Sequence, residues 1–273
     1  MHSTSAISGK WALVTGASSG IGRAIAEKLA QLHWNLFLVS NQLIPLQETA
    51  KSFQDLYGVA CIAHEADLTC DDAVIDILNC LKTQQIEIEF LVNNAGMLLF
   101  AEVVAANAVK RNQILKLHVN APVALCAAIG EGMKGRRSGY ILNVSSISAV
   151  MPYPGISLYG PTKTFMRYFT RALRSEMAGY QVRVTCLIPG ATATALYDPE
   201  KIDLGLAKRF RIMQTPEFVA QKAVAATIKN QSECIPGILN RLTVWLVPLI
   251  PHGLIIWIKN HTKLFDIGLS HLG

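Results

Sequence analysis

Charge is scarce in this sequence. Of its 273 residues only 16% are Asp, Glu, Lys or Arg, against a usual share of about 25%, while 51% are hydrophobic. That balance excludes a solvated, disordered chain, which lacks the apolar surface to offset the entropy of ordering. Basic runs are missing as well. The excess of 25 Lys and Arg over 19 Asp and Glu is dispersed, so nucleic acid is not an expected partner. The six cysteines, Cys61, Cys70, Cys80, Cys126, Cys186 and Cys234, stand singly with no CxxC. Neither a zinc site nor a disulfide framework is suggested, and free thiols in a reducing compartment fit best. The seven histidines never approach metal-ligand spacing and read as surface or isolated core residues, so no metal is implied.

Long apolar runs are also few. Met1 to Lys10 is polar and lacks the apolar stretch of a secretory signal, so the chain is expected to begin near Met1 and to work in the cytoplasm. Leu242 to Ile258 is uncharged but broken by Pro248, Pro251 and Gly253, and falls short of the ~20 residues that cross a bilayer. Trp245 and Trp257 inside it, with Arg241, Lys259 and Lys263 at its edges, suit either peripheral membrane contact through 242–263 or burial in a subunit interface.

What the chain does have is a repeated alternation of short apolar runs with longer amphipathic stretches, the pattern of strand, helix, strand units. Strands are expected at Trp11–Thr15, Asn35–Val39, Val59–Glu65, Phe90–Asn93, Tyr140–Ser145 and Val182–Ile188. Several are too continuously apolar for a sheet with a wet face. Helices are expected at Ile21–Leu32, Leu43–Tyr57, Asp71–Gln84, Val109–Met133, Leu158–Ala178 and, opened by Thr215 and Pro216, Pro216–Lys229. The fold class is therefore α/β, a doubly wound parallel sheet of Rossmann type. One domain is expected over residues 1–233, with 234–273 as an apolar extension of different composition.

Two local patterns carry chemistry. Thr15-Gly16-Ala17-Ser18-Ser19-Gly20-Ile21-Gly22 lies between the first strand and the first helix. Backbone NH groups at such a turn can meet a pyrophosphate, and the glycines clear its approach. The same turn can serve only tight helix and strand packing. The second pattern, Tyr159-Gly160-Pro161-Thr162-Lys163, sets a phenol and an ammonium one helical turn apart. A cation there favours phenolate, although moving a tyrosine from pKa ~10 to near 7 needs ~4 kcal/mol. Taken alone, the spacing is that of an ordinary amphipathic helix.

In order along the chain, these patterns and four others resemble the short-chain dehydrogenase/reductase family. The others are Asn93-Asn94-Ala95-Gly96 after the fourth strand, Asn120 in a long helix, Ser146 thirteen residues before Tyr159, and Pro189-Gly190 after the sixth strand. The resemblance covers Lys10 to Lys229. It implies an NAD(P)-dependent oxidoreductase that moves a hydride between a nicotinamide cofactor and a carbonyl or alcohol. By position, Tyr159 is the general acid, Ser146 hydrogen-bonds the same oxygen, Lys163 holds the nicotinamide ribose, and Asn120 fixes a water in a proton relay. Ser145 falls one residue off the spacing.

The resemblance further assigns cofactor contacts to Gly16, Ser18, Ser19, Gly20, Ile21 and Gly22 of the turn, to Asp67 and Leu68 at the adenine, and to Asn94, Ala95 and Gly96. It adds Pro189, Gly190, Thr192 and Thr194 near the carboxamide. Ser40 and Asn41 end the second strand where an acid would bind a ribose hydroxyl or an Arg a 2′-phosphate. The missing acid tilts the choice toward NADP over NAD. Met97, Leu98, Leu99, Phe100, Met151, Tyr153, Leu196 and Tyr197 flank the expected cleft, fitting a substrate with a hydrophobic body or a loop packed on the domain. A homodimer or homotetramer built on the two long helices is the family's usual assembly. An epimerase or dehydratase on this scaffold, and an idle dinucleotide-binding redox sensor, are the competing readings.

Overall fold

The computed structural model describes residues 9–152, 154–193 and 213–261. Seven parallel strands form one sheet in the order β3-β2-β1-β4-β5-β6-β7. They are β1 Trp11–Thr15, β2 Asn35–Ser40, β3 Cys61–Glu65, β4 Ile88–Asn93, β5 Gly139–Val144, β6 Val182–Leu187 and β7 Glu233–Cys234. Every residue of β1 and β2 is buried, as their unbroken apolar runs require of strands covered on both faces.

Strand periodicity sorts the core into two layers. Ala12, Val14, Leu36, Leu38, Phe90, Val92 and Leu142 face α1 (Gly20–Gln31), α2 (Leu43–Tyr57) and α7 (Pro216–Ile228). Leu13, Phe37, Val39, Leu91, Ile141 and Val184 face α3 (Ala73–Thr83), α5 (Ala121–Arg136) and the C-terminal half of α6 (Tyr159–Met177). Between β1 and β4 the winding reverses direction. In such sheets the helices diverge there and leave a crevice at the carboxyl ends of the strands.

The helix expected at Val109–Met133 is compound. It runs as α4 (Ala108–Leu115), a five-residue π-turn (Lys116–Asn120) and α5, ending in left-handed Arg137. By length and composition this run could cross a membrane, but its inner face packs against the sheet.

The sheet also continues past the expected domain boundary, which falls inside β7. Cys186 and Leu187 pair with Glu233 and Cys234, and Glu233 holds Arg167 of α6 through two bonds of 2.9 and 3.0 Å. Beyond it, α8 (Ile238–Leu246) buries Val244 against Cys186 and Ile188. Asn240 packs so closely on Gly190 that a Cβ at Gly190 would collide with it. The first part of the extension is thus core structure. After a bend of 105° comes α9 (His252–His261), which buries none of its residues and meets Glu102 through Lys259 at 3.9 Å.

Candidate active site

A cleft of about 490 Å³ opens where the winding reverses. One end is the turn between β1 and α1. Gly16 has φ +66° and Gly20 φ +54°, both left-handed. A Cβ on Gly16 would stand 2.8 Å from Asn94 Nδ2 and 2.9 Å from Ala95 Cα, so only glycine lets β4 approach. Gly22 is different. It does not line the cleft, and a side chain there would strike the Gly16 carbonyl, so its role is packing.

Thr15 and Asn94 close the seam between β1 and β4. Thr15 Oγ1 donates to Val92 O at 3.2 Å and accepts from the amides of Asn94 and Ala95 at 2.9 and 3.0 Å. Asn94 Nδ2 donates to Thr15 O at 3.0 Å and Gly16 O at 3.3 Å. Its side chain is therefore committed to holding the turn. The result is a rim of backbone and small side chains, Ser18, Ser19, Gly20 and Ile21, at the start of α1. This cradle fits a pyrophosphate.

Ser40 and Asn41 form the neighbouring wall, with Ser40 Oγ 2.9 Å from Ser18 Oγ. Asp67 and Leu68 line the cleft beyond them, and Asp67 accepts from the Thr69 amide at 2.9 Å. Gln42, Ala66 and Thr69 complete this end, although the motifs did not mark them. The opposite end holds Ala95, Gly96, Pro189, Gly190 and Thr192, whose hydroxyl donates to Gly190 O at 3.0 Å. Thr194, Leu196, Tyr197 and Tyr153 lie outside the described residues.

Ser146, Tyr159 and Lys163 share the wall at that end. Ser146 leaves the end of β5, accepts from the Ser148 amide at 3.1 Å and reaches Ser148 Oγ at 3.2 Å. Ser145, its neighbour, donates to Lys163 O at 2.6 Å and so ties β5 to α6. Tyr159 opens α6, with Pro161 in the first turn where a missing NH costs nothing. One turn on, Lys163 is 6% exposed, donates to Val144 O at 3.2 Å and lies 5.8 Å from the Tyr159 ring centroid. Burial lowers its pKa to about 8.

Asn120 is not brought to this group. It is exposed at the end of the π-turn and does not line the cleft. His118, two residues earlier, stands there instead, 2% exposed, its ring edge-on to Tyr159 at 5.6 Å. The sequence contained the signal. Ile114, His118, Ala121, Pro122 and Leu125 recur at helical spacing and are all buried, whereas Asn120 falls on the opposite face.

The apolar positions 97–100 pack beside Tyr159 with Ile114, Ile156 and Leu158. Gly155, at φ +87°, leaves room for the Phe100 ring, which a Cβ would meet at 2.8 Å.

This arrangement of cradle and polar wall agrees with the comparisons. The family model for short chain dehydrogenases matches residues 10–204. The chain belongs to the short-chain dehydrogenase/reductase family. Its relatives within that family include 17-beta-hydroxysteroid dehydrogenase type 3 of Homo sapiens, 33% identical over 87% of this chain and 76% of the relative. Very-long-chain 3-oxoacyl-CoA reductase of Macaca fascicularis is 28% identical over 89% and 76%. Inactive hydroxysteroid dehydrogenase-like protein 1 of Homo sapiens is 30% identical over 80% and 65%. Among solved structures, a short-chain dehydrogenase from Sphingobium yanoikuyae in complex with NADPH superposes with a TM-score of 0.78 at 26% identity, covering 93% of this chain and 97% of that one. As a member of the family, this short-chain dehydrogenase/reductase is an NAD(P)-dependent oxidoreductase.

Proposed function

We propose that this protein reduces a carbonyl on a substrate with a hydrophobic body, using NADPH, with Tyr159 as the proton donor. The observation that carries the reading is the placement of Ser146, Tyr159 and Lys163 on one wall of the cleft whose far end is the glycine cradle. A nicotinamide dinucleotide, when bound, supplies the hydride. Tyr159 gives its phenolic proton to the carbonyl oxygen as negative charge develops there, and Ser146 donates a hydrogen bond to the same oxygen. The Lys163 ammonium, held in a dry site, stabilises the phenolate that Tyr159 becomes.

The absence of an acid at Ser40 supports NADPH over NADH. Met97 and Leu117, which line the cleft, support an apolar substrate, as do the steroid and long-chain acyl names of two relatives. For the tail, the reading is contact with an anionic lipid surface. Trp245, Leu249 and Trp257 are 75%, 74% and 55% exposed, and no Asp or Glu occurs between Glu233 and Asp266.

The test is Tyr159→Phe assayed with NADPH against keto-steroids and 3-oxoacyl thioesters. Turnover falls ~10²-fold or more while NADPH affinity stays within a few-fold, because only the proton donor is lost. Activity close to wild type would remove Tyr159 from the role. An isomer or dehydrated product without NADPH oxidation would favour an epimerase or dehydratase.

A further inference from the structure

The buried imidazole of His118 makes two hydrogen bonds that together dictate its protonation state. Nε2 accepts from the Met97 amide at 3.0 Å, so that nitrogen carries no proton. Nδ1 lies 2.9 Å from Thr162 Oγ1, whose hydroxyl donates to Tyr159 O at 2.7 Å. Because the Thr162 proton is committed, Nδ1 is the donor in this pair. A second proton on the ring would set Nε2–H against the Met97 NH. Burial first, and the Lys163 charge second, hold the His118 pKa well below its ordinary 6.5.

We infer that His118 is a positioning residue locked as the neutral Nδ1–H tautomer, which fastens the 95–97 segment to the first turn of α6 and so sets where Tyr159 and Lys163 stand. Three parts of the site meet at this ring. Met97 follows β4, Thr162 and Tyr159 belong to α6, and the π-turn turns the ring inward between them. Gly96 leaves it space, since a Cβ there would lie 3.1 Å from His118 Nε2 and 3.6 Å from Lys163 Nζ. With both nitrogens engaged the imidazole neither gives up nor takes a proton during turnover. Its contribution is geometric, and misplacing a reacting group by about 1 Å costs up to ~10²-fold in rate.

The inference deepens the reductase reading and rests on it for its kinetic test. In the full-length protein, His118→Ala should lower kcat at least ~10-fold, a larger factor than any change in NADPH affinity, since the glycine turn that cradles the pyrophosphate keeps all of its own bonds. Water admitted beside Lys163 should also move the alkaline limb of the pH–rate profile upward. His118→Asn, whose amide offers both a donor and an acceptor, should recover a substantial part of the loss. His118→Phe, which fills the space without the bonds, should resemble His118→Ala and replaces it if the smaller variant fails to fold. Loss of less than threefold in both variants, no recovery by Asn, or disappearance of a limb near pH 6 would overturn the inference.

A second readout needs no turnover. In ¹⁵N-labelled wild type, the imidazole signals that vanish in His118→Asn should show the neutral Nδ1–H form unchanged from pH 8 to pH 5. Titration near 6.5, or the Nε2–H form, would overturn the inference. If wild type reduces no carbonyl, the proposed function fails and this spectrum still decides the role of His118.

Discussion

Lys163 and Tyr159 are linked by a shared low-dielectric setting. The ammonium lies 5.8 Å from the ring centroid and donates to the Val144 carbonyl at 3.2 Å. A lone buried cation is destabilising unless something compensates it, which marks this position as one where the fold accepts a loss for chemistry.

The size of that loss is testable. Burial takes Lys163 from 10.5 to about 8, a gap worth about 3 kcal/mol. Lys163→Met should therefore stabilise the ligand-free protein by up to ~3 kcal/mol at pH 7 while abolishing turnover. The folded pKa is the lower one, so the unfolded chain binds more protons between pH 8 and 10.5 and wild type gains stability as pH rises through that window. Urea denaturation should show the variant's advantage in full below pH 8 and shrinking toward pH 10.5. An advantage independent of pH would place its origin elsewhere.

Behind the site, Asn143 joins three elements. It accepts from Asn93 Nδ2 of β4 at 2.8 Å and donates to Thr170 Oγ1 of α6 at 3.0 Å, and Thr170 in turn donates to Met166 O at 2.6 Å. All of this lies in the dry core. Asn143→Ala removes the centre of the network and leaves a void, so it should cost about 2–4 kcal/mol. A loss below about 1 kcal/mol in denaturant titration would mean that water replaces the amide.

Most of the sheet was legible because parallel strands covered on both faces must be continuously apolar, and each of the six runs read as strands overlaps one of β1 to β6. β7 was not, since two residues carry no periodicity. Glu233 enters the sheet through the Arg167 pair and Cys234 through pairing with Leu187, both long-range facts. The glycine turn, Ser146 and the Tyr159–Lys163 pair were legible because close approach and one-turn spacing are local constraints. Asn120 was placed by its position in the family pattern, and the structure leaves it exposed, whereas the burial rhythm of Ile114, His118 and Leu125 marks the side of the helix that faces inward. Gln113 and Leu117 line the cleft as well, on the same compound helix, and no local pattern announced them.

Cofactor preference should turn on one position. Ser40 Oγ sits against Ser18 Oγ and accepts from the Gln42 amide at 3.2 Å, on the wall beside the glycine cradle. A carboxylate there would accept from a ribose hydroxyl and repel a 2′-phosphate. Ser40→Asp should weaken NADPH at least ~10-fold while NADH holds or tightens, the scale expected for one uncompensated charge contact. Fluorescence titration of both nucleotides measures it. Tighter NADH binding in wild type would reverse the assigned preference.

The tail supplies the last expectation. Val244 and Asn240 anchor α8 to the domain, yet Leu242, Trp245, Leu246 and Leu249 point outward, continuing onto Leu254, Ile256 and Trp257 after the bend. An apolar surface with indole rings, and with Arg241 and Lys259 at its margins, the latter 3.9 Å from Glu102, suits the interface of an anionic bilayer. A subunit contact is the rival use of the same face. The intact protein should co-sediment with phosphatidylserine vesicles at low salt and less so with neutral ones. The double variant Trp245→Glu, Trp257→Glu should abolish sedimentation while leaving NADPH binding unchanged, because both rings lie outside the nucleotide cleft. Protein that stays in the supernatant but falls in mass when the tryptophans are replaced would reassign the face to assembly.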